Sequence, residues 1–259
     1  MSENAVIWKK DGPVALITIN RPDKRNCINQ DVIEGMHTAF DELGADPEVK
    51  VIMTTGAGDA SWMAGFDMNY LKGMYEGKYR TERCPELYYK VRHSPKATIA
   101  VVNGYCLGGA ISMVCIHDMA IASDQAKFGL PEIFRGGVAR YALAAIFSAV
   151  PKTYAMEMTL TGSNWDGYKA ERTGLVNLCV PHAQLMEKAY EMGNLIGKWD
   201  AKAIDYNKRS AYRLLDVLNY EQRVDVNLMS HYDHHVHSEG GMRQGVEDML
   251  AGKGLKATF

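Results

Sequence analysis

The chain has 259 residues, 47% of them hydrophobic, and its 29 Lys and Arg nearly balance 31 Asp and Glu for a net charge of -2. That is enough to bury one large core, as a single domain with a smaller appendage or as two domains. A near-neutral balance argues against nucleic acid as the main partner, because phosphate binding concentrates Lys and Arg.

The opening MSENAVIWKKDGP lacks the apolar run of a signal peptide, and no stretch approaches the length of a membrane span. The five cysteines (Cys27, Cys84, Cys106, Cys115 and Cys179) form no CxxC pair, which fits reduced, packed thiols. The expectation is a soluble, cytoplasmic protein.

In chain order, PVALITIN (Pro13–Asn20) is the first strand signal, rich in β-branched residues and stopped by Arg21-Pro22. INQDVIEGMHTAFDEL follows, with Ile28, Val32, Ile33, Met36 and Phe40 near helical spacing. VKVIMTTG (Val49–Gly56) reads as a buried strand, then the loop AGDASWMAGFD leads into a polar, mobile stretch through Arg83. TIAVVNG (Thr98–Gly104) is a further strand, GGAISMVCIHD a buried helix and MAIAS (Met119–Ser123) another strand. This alternation predicts an α/β fold with largely parallel pairing. Beyond about Pro181 the segments AQLMEKAYEMGNLIGKW, AKAIDYNKRSAYRLL, NYEQRVDVNLMSHYDHHVH and EGGMRQGVEDMLAG read as successive helices. Such a region packs on the α/β body or on a neighbouring subunit.

Two glycine loops each open a helix after a strand, Ala64-Gly65-Phe66-Asp67 and Leu107-Gly108-Gly109-Ala110. Helix N-termini present unpaired N–H groups and partial positive charge, and two facing one cavity would make an oxyanion hole. The same glycines also suit tight turns and close packing alone. GGA is not GxGxxG, and neither a Walker-type lysine nor a ribose-binding acid follows.

Glu132, in GLPEIFRGG, is either a general acid or base with a raised pKa or a helix-start carboxylate complementing the dipole. Ser112 lies outside a GxSxG elbow and also reads as a small helix residue bonding back to a carbonyl. His231, His234, His235 and His237 have helical spacing but no completing motif, so no metal is expected. The tail GKGLKATF is a solvated end or a phosphate contact.

Together, ITINRPDKRNCI, TGAGDASWMAGFDM, KATIAVVNGYCLGGAISMVCIHDMAIASDQAKFGLPEI, MEMTLTG, AERTGLVNLCVPHAQL and SEGGMRQGVEDML resemble the crotonase, or enoyl-CoA hydratase/isomerase, family over nearly the whole chain. The resemblance implies a spiral of β-β-α units over residues 1–195 and a helical trimerisation region over 196–259. It also implies trimers or dimers of trimers, and a coenzyme A thioester as substrate with no prosthetic group. It places Phe66 and Gly109 as the N–H donors to the thioester oxygen, and Lys24 and Arg25 near the nucleotide end. Backbone at Ala64, Phe66 and Met68 would run along the pantetheine, and Lys256 would contact a phosphate.

Many hydratases of this family carry two glutamates; here the second is Glu132 and the first position holds Ser112. A hydroxyl orients water but cannot replace a carboxylate as acid or base. Three one-glutamate chemistries fit: hydration by Glu132 alone, double-bond isomerisation by one shuttled proton, and the hydratase-lyase reaction. Hydroxycinnamoyl-CoA hydratase-lyases share the Ser-then-Glu arrangement, FGL-x-E and xEGGxxQG; a catalytically weak CoA-binding scaffold is the alternative outside enzymes. A second departure puts Ala139 and Arg140 where family hydratases have Pro-Gly. Arg140 is expected to turn outward to solvent or a subunit interface; turned inward it would pair with Glu132 or bind an acidic substrate group. Tyr70, Tyr88 and Tyr89 either shape a pocket for a ring or pack in the core.

Overall fold

The computed structural model describes residues 4–216 and 241–253. It opens with an antiparallel hairpin, β1 (Val6–Asp11) and β2 (Val14–Ile19), turned at Gly12, where φ is +57°. The sequence reading begins the strands at Pro13 and passes over β1. Only Val6 of β1 is buried, and Lys9, Lys10 and Asp11 cut its apolar start short, as suits an edge strand.

Parallel to β2 lie β3 (Val51–Gly56), β5 (Ala97–Val102), β7 (Met119–Ser123) and β10 (Leu178–Val180), in the order β1-β2-β3-β5-β7-β10. Every residue of β3 and β5 is buried, as both faces of a central parallel strand must be. Alternation divides them. Ile17, Ile52 and Ala100 join the core with α1 (Gln30–Ala45), whereas Leu16, Met53 and Ile99 meet Leu185 and Ala189 of α8 (Leu185–Gly197). Asn29 starts α1, its Oδ1 accepting from Val32 N at 3.1 Å, a cap that typically contributes about 1 kcal/mol.

After β3, β5 and β7 the chain turns into a second parallel set, β4 (Ser61–Met63), β6 (Tyr105–Leu107) and β8 (Lys127–Gly129), with β9 (Trp165–Asp166) antiparallel to β8. Buried Asn103 pins one corner to another. Its Nδ2 donates to Gly56 O at 2.9 Å and Gly58 O at 2.6 Å. Helices close each unit: α2 (Met68–Tyr75) and α3 (Arg83–Arg92) after β4, and α4 (Gly109–Ile116) after β6. A 3-10 turn (Pro131–Arg135) and α5 (Arg140–Ala149) follow β8. This is the expected spiral of β-β-α units.

The polar stretch before Arg83 contains α2, the helix that the Ala64–Asp67 loop is expected to open. Asp67 caps it, accepting from Asn69 N at 3.0 Å, and Tyr70, Leu71 and Met74 bury one face. Then come α6 (Lys152–Thr161), α7 (Gly167–Thr173), α8, α9 (Ala201–Asp216) and α10 (Gly241–Leu250), and no strand follows Val180 among the described residues. The expected boundary after residue 195 falls within the last turn of α8. No helix among the described residues is long and apolar enough to cross a membrane.

Candidate active site

The two glycine loops are brought together. Gly65 (φ +91°) and Gly108 (φ +57°) both adopt left-handed backbone immediately before the expected donors Phe66 and Gly109. Ile28 N donates to Gly65 O at 2.8 Å and Asp67 N to Ile28 O at 2.9 Å. In that parallel bridge the intervening Phe66 N–H points the other way. Gly109 is the first residue of α4, where an N–H has no intrahelical acceptor. A Cβ on Gly65 would lie 3.0 Å from Leu107 O, and one on Gly109 would lie 2.6 Å from the Phe66 ring. The loops therefore touch, and both line one cavity of about 450 Å³.

Glu132 lines the same cavity from the 3-10 turn after β8, and a Cβ on Gly108 would lie 2.6 Å from its Oε1. The carboxylate thus rests against the glycine that sets up the Gly109 donor. Arg135, one turn on, also lines the cavity and donates from Nη1 to Pro131 O at 3.3 Å. Burial lowers the Arg135 pKa, and the charge of Glu132 opposes that shift.

Lys24 and Arg25 are exposed at the cavity rim. Their loop is held in an unusual shape: Arg25 (φ 50°) and Asn26 (φ 54°) are left-handed without being glycine. Fully buried Asn26 enforces it. Its Oδ1 accepts from Arg21 N at 3.0 Å, while its Nδ2 donates to Ala57 O at 3.0 Å and Ser61 O at 2.6 Å. Arg21 donates to Cys27 O at 2.6 Å and pairs with Asp67 at 3.0 Å, tying the rim to the Phe66 loop. Ala64 donates its N–H to Arg25 O at 3.2 Å, and both Ala64 and Met68 line the cavity. Arg21, Asn26 and Asp67 escaped the sequence reading; a polar residue directly after Gly-Phe and before an apolar helix is the cap signal that marks Asp67.

Three expectations change. Arg140, expected to face outward, lines the cavity, because it is the first residue of α5 and that helix starts at the cavity wall with Val138, Ala139, Tyr141 and Ala142. Tyr70 is not a lining residue: it is buried behind Phe66, ring centroids 6.3 Å apart, and burial pushes its hydroxyl up to about 12. Ser112 has 0% exposure and also does not line the cavity. It sits one layer back, near enough to the buried Tyr88 phenol to act on it, although its Oγ makes no hydrogen bond of good geometry. Tyr88 itself donates to Gly109 O at 3.2 Å, and burial raises its pKa well above 10.

His231, His234, His235, His237 and Lys256 lie outside the described residues. Among the described residues no group of three or more His, Cys, Asp or Glu is placed to hold a metal.

Residues 9–250 match the family model described as Enoyl-CoA hydratase/isomerase. The chain belongs to that family. As an enzyme of the enoyl-CoA hydratase/isomerase family it belongs among catalysts that act on CoA thioesters without a prosthetic group. It is 33% identical to hydroxycinnamoyl-CoA hydratase-lyase of Pseudomonas fluorescens, over 95% of this chain and 92% of that one. It is 34% identical to short-chain-enoyl-CoA hydratase of Clostridium acetobutylicum, over 82% of this chain and 83% of that one. Among solved structures, carnitinyl-CoA hydratase from Mycobacterium avium matches with a TM-score of 0.84 at 30% identity, covering 99% of each chain. In family terms, the cavity between the two glycine loops is the candidate thioester site.

Proposed function

We propose that the protein is an acyl-CoA hydro-lyase of the enoyl-CoA hydratase type, with Glu132 as its acid and base. The observation that carries this reading is the placement of the Glu132 carboxylate against Gly108, in a cavity that both N–H loops line. Lys24 and Arg25 at the rim suit the nucleotide phosphates of coenzyme A, and the backbone at Ala64, Phe66 and Met68 suits the pantetheine arm.

The reaction then follows from the geometry. Glu132 takes a proton from water as the oxygen attacks the β-carbon, and the double-bond electrons move onto the thioester oxygen. The Phe66 and Gly109 N–H groups stabilise that enolate because they are fixed before the charge develops. Glu132 returns the proton to the α-carbon, which completes addition of water; the reverse sequence removes it. One carboxylate is enough because it first gains and then loses the same proton.

Mass analysis of products from crotonyl-CoA tests this, gain of one water marking hydration; appearance of a conjugated enoyl thioester by ultraviolet absorbance from a 3-enoyl-CoA marks isomerisation. Glu132→Gln should reduce kcat by about 10²- to 10⁴-fold, the usual contribution of a general acid-base group; near-normal turnover would sink the mechanism. Retained CoA binding with no product from any enoyl-CoA would leave the scaffold reading. A second reading, the hydratase-lyase reaction, is favoured by the 33% identity to the hydroxycinnamoyl enzyme and by the shared FGL-x-E and xEGGxxQG. Release of acetyl-CoA and an aldehyde from hydroxycinnamoyl-CoA distinguishes it.

A further inference from the structure

We infer that Tyr88, which lies outside the cavity, is a positioning residue that keeps the Gly109 N–H aimed at the thioester oxygen. The inference rests on the acyl-CoA reading above and adds what holds its second donor still.

The Gly109 amide is intrinsically loose. A Cβ on Gly109 would lie 2.6 Å from the Phe66 ring and one on Gly108 would lie 2.6 Å from Glu132 Oε1, so close packing demands glycine at both positions. Two successive glycines leave the amide between them with the least restricted backbone on either side. Helix α4 also begins without a side-chain cap, whereas α2, behind the other loop, has Asp67.

Backbone holds one side of that amide. Gly108 N donates to Gly129 O at 2.9 Å, and Gly108 O accepts from Ile111 N at 2.9 Å. The other side is held from α3, which packs on α4. Tyr88 donates its hydroxyl hydrogen to Gly109 O at 3.2 Å, a buried bond between the two helices. With Gly108 O and Gly109 O both engaged, the peptide planes on either side of the Gly109 Cα are set, and with them the direction of its N–H.

The phenol is built for this role. It is buried on α3 and packs edge-on against Tyr141 of α5, ring centroids 5.6 Å apart. The Cys84 thiol and Ser112 hydroxyl lie close by, yet its well-formed hydrogen bond goes to Gly109 O. Burial holds its pKa well above the usual tyrosine range, so the phenol stays protonated and remains a donor. Tyr88 does not line the cavity, so it acts on substrate only through Gly109.

The test reads the carbonyl that the donor would meet. Butanoyl-CoA labelled with ¹³C at the thioester carbonyl cannot be hydrated, and isotope-edited infrared spectra report its C=O stretch when bound. Hydrogen bonds from the two loops should lower that stretch in wild type. Tyr88→Phe keeps the ring and loses the hydroxyl. It should give back part of the lowering and broaden the band, and kcat on crotonyl-CoA should fall about three- to tenfold with KM little changed. Cys84→Ala removes a neighbour of the phenol without touching its bond to Gly109, and should keep the wild-type stretch. Thermal melts establish that each variant is folded, and Tyr88→Met is read in the same way if Tyr88→Phe is not.

A wild-type stretch in the Tyr88 variant overturns the inference, whatever happens to kcat. So does a loss in Cys84→Ala as large as that in Tyr88→Phe, which would mark general loosening between α3 and α4. An unlowered stretch in wild type would break the acyl-CoA reading and the inference with it. A lost shift in Tyr88→Phe at unchanged kcat would leave the inference standing and break the enolate route.

Discussion

The loops before α2 and α4 do the same job with different tolerance. Each puts a left-handed glycine, Gly65 or Gly108, immediately before a candidate N–H donor. Behind Gly65 stands backbone, with Leu107 O 3.0 Å from where a Cβ would go. Behind Gly108 stands the carboxylate proposed as acid and base, with Glu132 Oε1 at 2.6 Å. The second loop is therefore locked to the chemistry on both sides, by Glu132 at Gly108 and by the Phe66 ring at Gly109. The first carries a large side chain at its donor position and is free to vary there, because the donor is main chain. A backbone donor leaves the side chain available for other work, here packing across to the opposite loop.

The sharpest way to break this comparison is Gly108→Ala. The new methyl meets the Glu132 carboxylate, and alanine at φ +57° adds about 1–2 kcal/mol of strain. Displacing a reacting group by about 1 Å commonly lowers rate about 10²-fold, so kcat should fall by at least about 10²-fold in steady-state assays. A fall of only a few-fold would mean that Glu132 need not rest where it does. Phe66→Leu should act far more mildly. It keeps the N–H and loses the ring contacts with Gly109 and Tyr70, of the order of 1 kcal/mol for an aromatic pair, or about three- to tenfold in kcat/KM. Smallest should be Ser112→Ala. The hydroxyl has no well-formed hydrogen bond, and replacing it by a methyl group of similar shape is close to neutral. A change in kcat/KM below about threefold is expected on that ground, and a drop of thirtyfold or more would show that Ser112 does act on substrate.

What could be read in the amino-acid order depended on how far each feature reached. Strands β2, β3, β5 and β7 were legible because a parallel strand covered on both faces is an unbroken apolar run. The two glycine loops and Glu132 were legible because glycine and an isolated acid stand out against such runs. The edge strand β1 was not, since charged residues occupy half of it. The start of helix α2 was legible from the glycine loop before it, but its polar face blurred how far it runs. The positions of Arg140 and Ser112 were illegible for a different reason. Both lie on or beside short helices, and which side of a short helix meets a cavity is decided by packing against α3 and α5, which no local pattern records. Asn26 is the extreme case. Its Nδ2 ties the loop to carbonyls more than thirty positions away, so its importance is visible only after folding.

One wall of the cavity has a consequence for how the enzyme comes into being. Met249 lines the chamber from α10, which packs on α2 and on the 3-10 turn that carries Glu132. Among the described residues, every other lining residue lies at or before Ala142. More than a hundred residues of chain therefore separate the last inner wall from the rest, a loop closure of high contact order. During synthesis the N-terminal units can assemble while the chamber is still open to water. Catalytic competence should therefore arrive late and abruptly, as the final helix docks, and it should be the first property lost when that helix detaches.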